Sequence, residues 1–251
     1  MEAEQTPATK VTWNPVLATV YLILVFFVTQ IIGGVLISVY AQLRYHDATR
    51  IADLISNSPG IQFSYILLVE AMSVGAIFLF VRHFKTKLSH IGLRRPKFSD
   101  IGWAVLTLPI YYIIFLVAAY VGKRVFPGLN VDQQQDIGFN GVSGPVALTL
   151  TFISLVVLPP IAEEIMVRGF LYTSLRKVTP YLVSALLSSA LFGAAHLNGA
   201  SSGGPLWIAF IDTFILGFCL ATLREKTGGL WSSMLLHSLK NSVAFYLLFI
   251  R

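Results

Sequence analysis

VLATVYLILVFFVTQIIGGVLISV, residues 16–39, runs for 24 residues without a charged side chain. A helix needs about 20 apolar residues to cross ~30 Å of hydrocarbon, so this stretch reads as a membrane-spanning helix. It is too long for the core of a signal peptide and has no clean small-residue cleavage site, so it reads as a retained helix. Further apolar runs lie at 61–81, 101–121, 146–161, 181–195, 206–223 and 230–250. The fourth and fifth runs are short, so the count is about seven spans, within a range of six to eight. The predicted fold class is all-α: a polytopic membrane helical bundle.

Composition points the same way. The chain is 55% hydrophobic and 12% charged, with a mean hydropathy of +0.73. A soluble domain carries about 25% charged residues, and half of that cannot cover a water-facing surface. This excludes an ordinary soluble enzyme, a disordered chain and a collagen-like chain. The single cysteine, Cys219, excludes an internal disulfide and a Cys-rich zinc or iron–sulfur site.

The basic residues predict an orientation. The segment 82–100 carries Arg82, Lys85, Lys87, Arg94, Arg95 and Lys97, and the positive-inside rule places it in the cytoplasm. Seven spans then put the N-terminus inside as well, with twelve basic residues inside, Lys10 among them, against five outside. The formal charge of +6 is read as membrane-surface charge. No aromatic-interleaved basic motif calls for nucleic acid. Two stretches rich in loop-forming residues, 127–144 and 198–205, fall outside.

Ionisable groups inside hydrocarbon cost at least ~2.5 kcal/mol each at a helix centre for Asp or Arg. The apolar runs and their ends nevertheless hold Glu70, Glu163, Glu164, Arg168, His196, Asp212, His237 and Lys240. Most fall in three strings. In the first, Pro159-Pro160-Ile161-Ala162-Glu163-Glu164-Ile165-Met166-Val167-Arg168, Glu164 and Arg168 are four apart and share a helix face. Glu163 points about 100° away and stays unpaired by that geometry. Pro159 and Pro160 start or kink a helix and free backbone groups beside the acids. In the second string, His196 closes a run of small residues, Gly193, Ala194 and Ala195, that permits close helix approach. In the third, His237 and Asn241 lie one turn apart on one face. Taken singly, each string also reads as ordinary structure: an ion pair at a helix end, an interfacial histidine, a packing asparagine.

Helix arithmetic lets the strings meet. From Glu163 to a turn near Val178 is about 22 Å, and from that turn back to His196 about 27 Å. The last helix enters from the same side at Gly228-Gly229, with His237 about 12 Å into it. A carboxylate and two imidazoles in a partly dry site suit hydrolysis by activated water, with an amide and an imidazole available to an oxyanion. The same groups, Glu163, His196 and His237, could instead ligate a metal such as zinc. There is no His-Glu-x-x-His string and no Gly-x-Ser-x-Gly elbow around Ser232, Ser233 or Ser238.

Glu163-Glu164-x-x-x-Arg168, Phe192-x-x-x-His196 and His237-x-x-x-Asn241 resemble the three motifs of the CPBP family, the CAAX-protease and bacteriocin-processing (Abi) intramembrane proteases. The run from Glu163 to Tyr172 is especially similar. The resemblance covers about residues 143–250. It implies a catalytic core at 143–251 following N-terminal transmembrane helices at 1–142, in one integrated domain. It also implies an intramembrane endopeptidase acting on membrane-associated or lipid-modified, CaaX-like peptides. By that resemblance Glu163 activates water, His196 orients it, His237 and Asn241 line the oxyanion site, and Glu164 and Arg168 brace the site. No cofactor is expected, zinc being the alternative. Other expected partners are the peptide substrate and the bilayer, in the plasma membrane of a prokaryote.

Two further readings compete. One is a non-catalytic protein of the same fold, acting in bacteriocin immunity or as a scaffold. The other is a proton-coupled transporter, against which the confinement of the main polar strings to one half of the chain counts. Glu70 reads as a packing or pore-facing acid, and Lys240 as a snorkelling residue or a partner for Asp212.

Overall fold

The computed structural model describes residues 11–133, 135, 137–139, 141–197 and 204–251. Lys10 and most of the loop at 198–205 lie outside the described residues. Among those described the chain forms eight helices and no strand: α1 Pro15–Arg44, α2 Ala48–Asn57, α3 Pro59–His83, α4 Phe98–Val125, α5 Pro145–Arg176, α6 Tyr181–Ala194, α7 Trp207–Thr227 and α8 Trp231–Phe249. Each of the seven apolar runs lies on its own helix. The addition is α2, ten residues long and amphipathic, whose N-terminus is capped by the Asp47 side chain accepting from the Thr49 and Arg50 amides.

Five helices, α1, α3, α4, α5 and α7, are long and apolar enough to cross a membrane. The other two apolar runs give the shorter α6, 14 residues long, and α8, which carries His237 and Lys240. The outer faces of α1 and α4 leave Leu24, Ile31, Leu106, Ile113 and Leu116 exposed. A molecule in water does not expose belts of this kind. The protein is an integral membrane protein, and these side chains are its lipid face.

Packing inside the bundle uses small residues and hydroxyls. Gly33 lets α1 lie against Val69 and Tyr65 of α3, where a Cβ would collide with Val69. Beside it the hydroxyls of Thr29 and Ser73 bond at 2.9 Å. Gly193 brings α6 onto the backbone of α7 at Phe210.

At one end of the bundle the N-terminal segment, the basic segment and the ends of α5 and α7 are sewn together. Trp13 is buried, bonds to Ser174 through its indole N–H and stacks on Phe170. Phe80 packs edge-on against both rings. Arg176 pairs with Glu225 at 2.8 Å. Arg94 forks onto Asp100 and also donates to the Thr227 carbonyl, while the Trp231 indole donates to the Arg94 carbonyl. The basic segment, read from sequence as surface charge, is thus also a strap across the turn between α7 and α8.

The polar residues of α4, α7 and α8 form a chain across the bundle. The Tyr111 hydroxyl donates to Asp212, and Lys240 pairs with the other carboxylate oxygen of Asp212 at 2.9 Å. Of the two sequence readings for Lys240, the pair with Asp212 is the one formed. This network sets the rotation of α8 one residue before Asn241. Replacing Asp212 by Ala leaves a largely buried ammonium without a partner. We expect Asp212→Ala to lower stability in detergent by about 1–3 kcal/mol, and Asp212→Leu/Lys240→Met to recover part of it. Thermal unfolding of the purified variants measures both.

Candidate active site

The site is built on an irregular stretch of α5. Pro159 and Pro160 lack the N–H that continues a helix. Before them, at 153–157, and after them, at 164–171, the helix widens to bonds five residues apart, as in Leu158 to Ile153 and Tyr172 to Val167. Such widened turns rotate the following side chains relative to a regular helix and concentrate at functional sites. Here the second one carries Glu164 and Arg168.

Glu164 and Arg168 are completely buried and pair at 3.0 Å through Arg168 Nη1 and Glu164 Oε1. The same oxygen faces His237 Nδ1 at 3.3 Å. The guanidinium lies 4.3 Å over the Phe192 ring, a stacking that a flat, delocalised cation tolerates better than an ammonium. Gly217 leaves the space it needs: a Cβ there would come within 2.9 Å of Arg168 Nη2. Glu164 Oε2, Arg168 Nε and Arg168 Nη2 are buried with no hydrogen-bond partner among the described residues.

Glu163 lies apart from this cluster. His237 Nε2 is 3.7 Å from its Oε2, and the rest of the carboxylate opens on a cavity of about 440 Å³, a size typical of ligand sites. His196 and Glu70 line the same cavity. The Nδ1 of His196 is 2.9 Å from the Phe192 carbonyl. A carbonyl only accepts, so Nδ1 carries the hydrogen, and in the neutral imidazole Nε2 keeps its lone pair. Phe192 also touches His237 edge-on, with ring centroids 5.8 Å apart, and so separates the two imidazoles.

Asn241 lies on α8 one turn beyond His237. Its amide Nδ2 donates to the Leu155 carbonyl at 2.9 Å. Neither His237 nor Asn241 lines the large cavity; both stand behind Glu163 on the α8 side. The three strings therefore come together, with Glu163 between His237 on one side and the cavity that holds His196 on the other.

Two features of the site had no signal in the motifs. The far wall of the cavity comes from α1 and α3, with Leu22, Phe26, Ile66 and Val69 supplying apolar surface. Glu70 stands in that wall without a hydrogen bond or ion pair among the described residues. As an acid inside an apolar run it was visible in the sequence, but its facing Glu163 across a common cavity was not.

Among the described residues no three His, Cys, Asp or Glu side chains come together in a way that could hold an ion. His196 Nδ1 bonds to a carbonyl and His237 Nδ1 to Glu164, which leaves both Nε2 atoms available.

Residues 145–243 match the family model described as type II CAAX prenyl endopeptidase Rce1-like. That stretch is similar to the Rce1-like family. The match spans all three motif strings, so it agrees with the resemblance read from Glu163, Glu164, Arg168, His196, His237 and Asn241. No curated protein and no solved structure matches the chain. The Rce1-like family is a family of proteases, and here the matched stretch provides α5 to α7 and the first part of α8, while α1 and α3 complete the cavity.

The buried pair yields a direct expectation. Arg168→Ala leaves the Glu164 carboxylate inside the bundle with only an imidazole beside it, at a cost of about 3–5 kcal/mol. Glu164→Gln/Arg168→Gln, which leaves no lone charge, should recover part of that loss. Melting curves in detergent distinguish the two; unchanged melting of Arg168→Ala would rule out a bracing role.

Proposed function

We propose that this protein is an intramembrane endopeptidase that hydrolyses peptide bonds of membrane-associated or lipid-modified peptides by water activated at Glu163. The observation that carries the reading is the division of labour between the adjacent acids. Glu164 is locked to Arg168 and His237, while Glu163 is open to a cavity it shares with His196.

The chemistry follows from those positions. A water in the cavity hydrogen-bonds to the Glu163 carboxylate and donates to the free Nε2 of His196. Glu163 takes a proton as the water oxygen attacks the scissile carbonyl carbon. The negative charge gathers on the carbonyl oxygen; the scissile carbonyl must reach past Glu163 to its α8 side for the second N–H of Asn241 and the His237 imidazole to meet it. The C–N bond then breaks and Glu163 passes its proton to the leaving amine, which restores the carboxylate. Every proton is accounted for without a metal.

The cavity supports the substrate class. Its walls are mostly apolar and it reaches from Glu163 to α1 and α3, so an aliphatic or lipid chain has a place to lie while the peptide meets the acid. The end of the bundle sewn by Trp13, Arg94 and Arg176 carries the basic segment. We place that end, with the N-terminus, in the cytoplasm of a prokaryote, the bilayer being its plasma membrane.

Quenched peptides, with and without a prenyl group, tested in detergent on the wild type and Glu163→Gln side by side decide the function. The expected result is cleavage by the wild type and a loss of at least about 10³-fold in the variant, with expression and melting unchanged. Near wild-type turnover by Glu163→Gln would remove Glu163 as the base. No cleavage of any peptide by the wild type would favour a non-catalytic relative.

A metal-free mechanism also predicts that strong chelators leave turnover unchanged and that purified protein lacks stoichiometric zinc. About one zinc per chain, lost and regained together with activity, would make Glu163, His196 and His237 ligands instead.

A further inference from the structure

The carbonyl of Leu155 has no donor available along its own helix. In a regular helix its partner is the N–H of residue 159, and in a widened turn that of residue 160. Both are proline. The N–H of Leu158, which could close a tighter turn, is spent on the Ile153 carbonyl. Within the membrane, water cannot fill this vacancy cheaply, and an unmade backbone bond is costly there. The donor that fills it comes from another helix: the Asn241 amide, at 2.9 Å.

The bond does more than satisfy a carbonyl. Asn241 has two amide hydrogens and one carbonyl oxygen. Fixing one hydrogen on Leu155 fixes the plane of the amide and therefore the direction of the other hydrogen. It also ties α8 to α5 one turn from His237, whose ring bears on both Glu163 and Glu164. The prolines stand four and three residues before Glu163, so the element that bends the helix toward the acids is the same one that exposes the anchor for Asn241.

We propose that Pro159 is a positioning residue: by withholding the N–H that would occupy the Leu155 carbonyl, it reserves that carbonyl to hold and aim the Asn241 amide at the reaction site. The part concerning the reaction rests on the peptidase reading given above. The coupling between Pro159 and Asn241 rests on the hydrogen-bond geometry alone.

A double-mutant cycle read in two ways tests this. Pro159→Ala returns a donor to the helix and raises helix propensity, so the variant is expected to fold. In the first reading, thermal unfolding in detergent, Asn241→Ala should lower the melting temperature of the wild type by roughly 2–6 °C, because it strands the Leu155 carbonyl. In the Pro159→Ala background the same change should shift it by less than about 1 °C. Equal shifts in both backgrounds would overturn the proposal.

In the second reading, peptide cleavage, Pro159→Ala should lower kcat about 10- to 100-fold with KM within about twofold, as befits a misaimed oxyanion donor. The double variant should be no slower than Asn241→Ala alone. Multiplying losses, or wild-type kcat in Pro159→Ala, would overturn it. If the wild type cleaves nothing, the peptidase reading fails, while the melting cycle still reports whether Pro159 and Asn241 are coupled.

Discussion

The buried pair of Glu164 and Arg168 is the interaction on which the arrangement of the site depends. Two charges this deep stay ionised only if each has a partner, and a lone one would be among the costliest groups in the chain. Satisfying them draws in His237 from α8 and Phe192 from α6, and requires Gly217 on α7 to leave room. Three helices are thereby placed against α5 by the need to house one guanidinium and one carboxylate. The position of Glu163 on the cavity is consistent with the same constraint, because its neighbour has taken the cation.

The helix that carries these acids is irregular for a reason that can be traced to backbone donors. Two prolines remove two N–H groups, the helix widens on both sides, and a carbonyl is left for Asn241. In water such a defect would be patched by solvent. In a bilayer it must be patched by protein, and the patch becomes a link between helices. The pair of Lys240 with Asp212, itself bonded to Tyr111, works similarly on a neighbouring face of α8. The helix bearing His237 and Asn241 is therefore held by polar contacts to both α5 and α7, while its apolar residues face their neighbours and lipid.

Much of this was legible in the sequence because membranes impose a simple rule on composition. Every apolar run became a helix, and the spacing of Glu164 and Arg168 gave their pairing before any geometry was available. The three motif strings, and with them the six candidate site residues, could be named from order and spacing. What could not be read was α2, too short and too polar to stand out, and the burial of Trp13 under the end of α5. The strap formed by Arg94 was also hidden, since a basic segment carries the same signal whether its charges face water or a carbonyl.

The sequence by itself determined the membrane-embedded helical class, the presence of costly ionisable groups and which of the two acids is paired, because each of these follows from local periodicity and from the cost of charge in hydrocarbon. Only the tertiary structure decided what those groups face. It put Glu163 and His196 on a common cavity, set Glu70 in the opposite wall and gave Asn241 to Leu155. These relations join residues from about 30 to more than 120 positions apart. They are fixed by how helices rotate and pack to fill their unmet hydrogen bonds, a global condition that no single stretch of sequence contains.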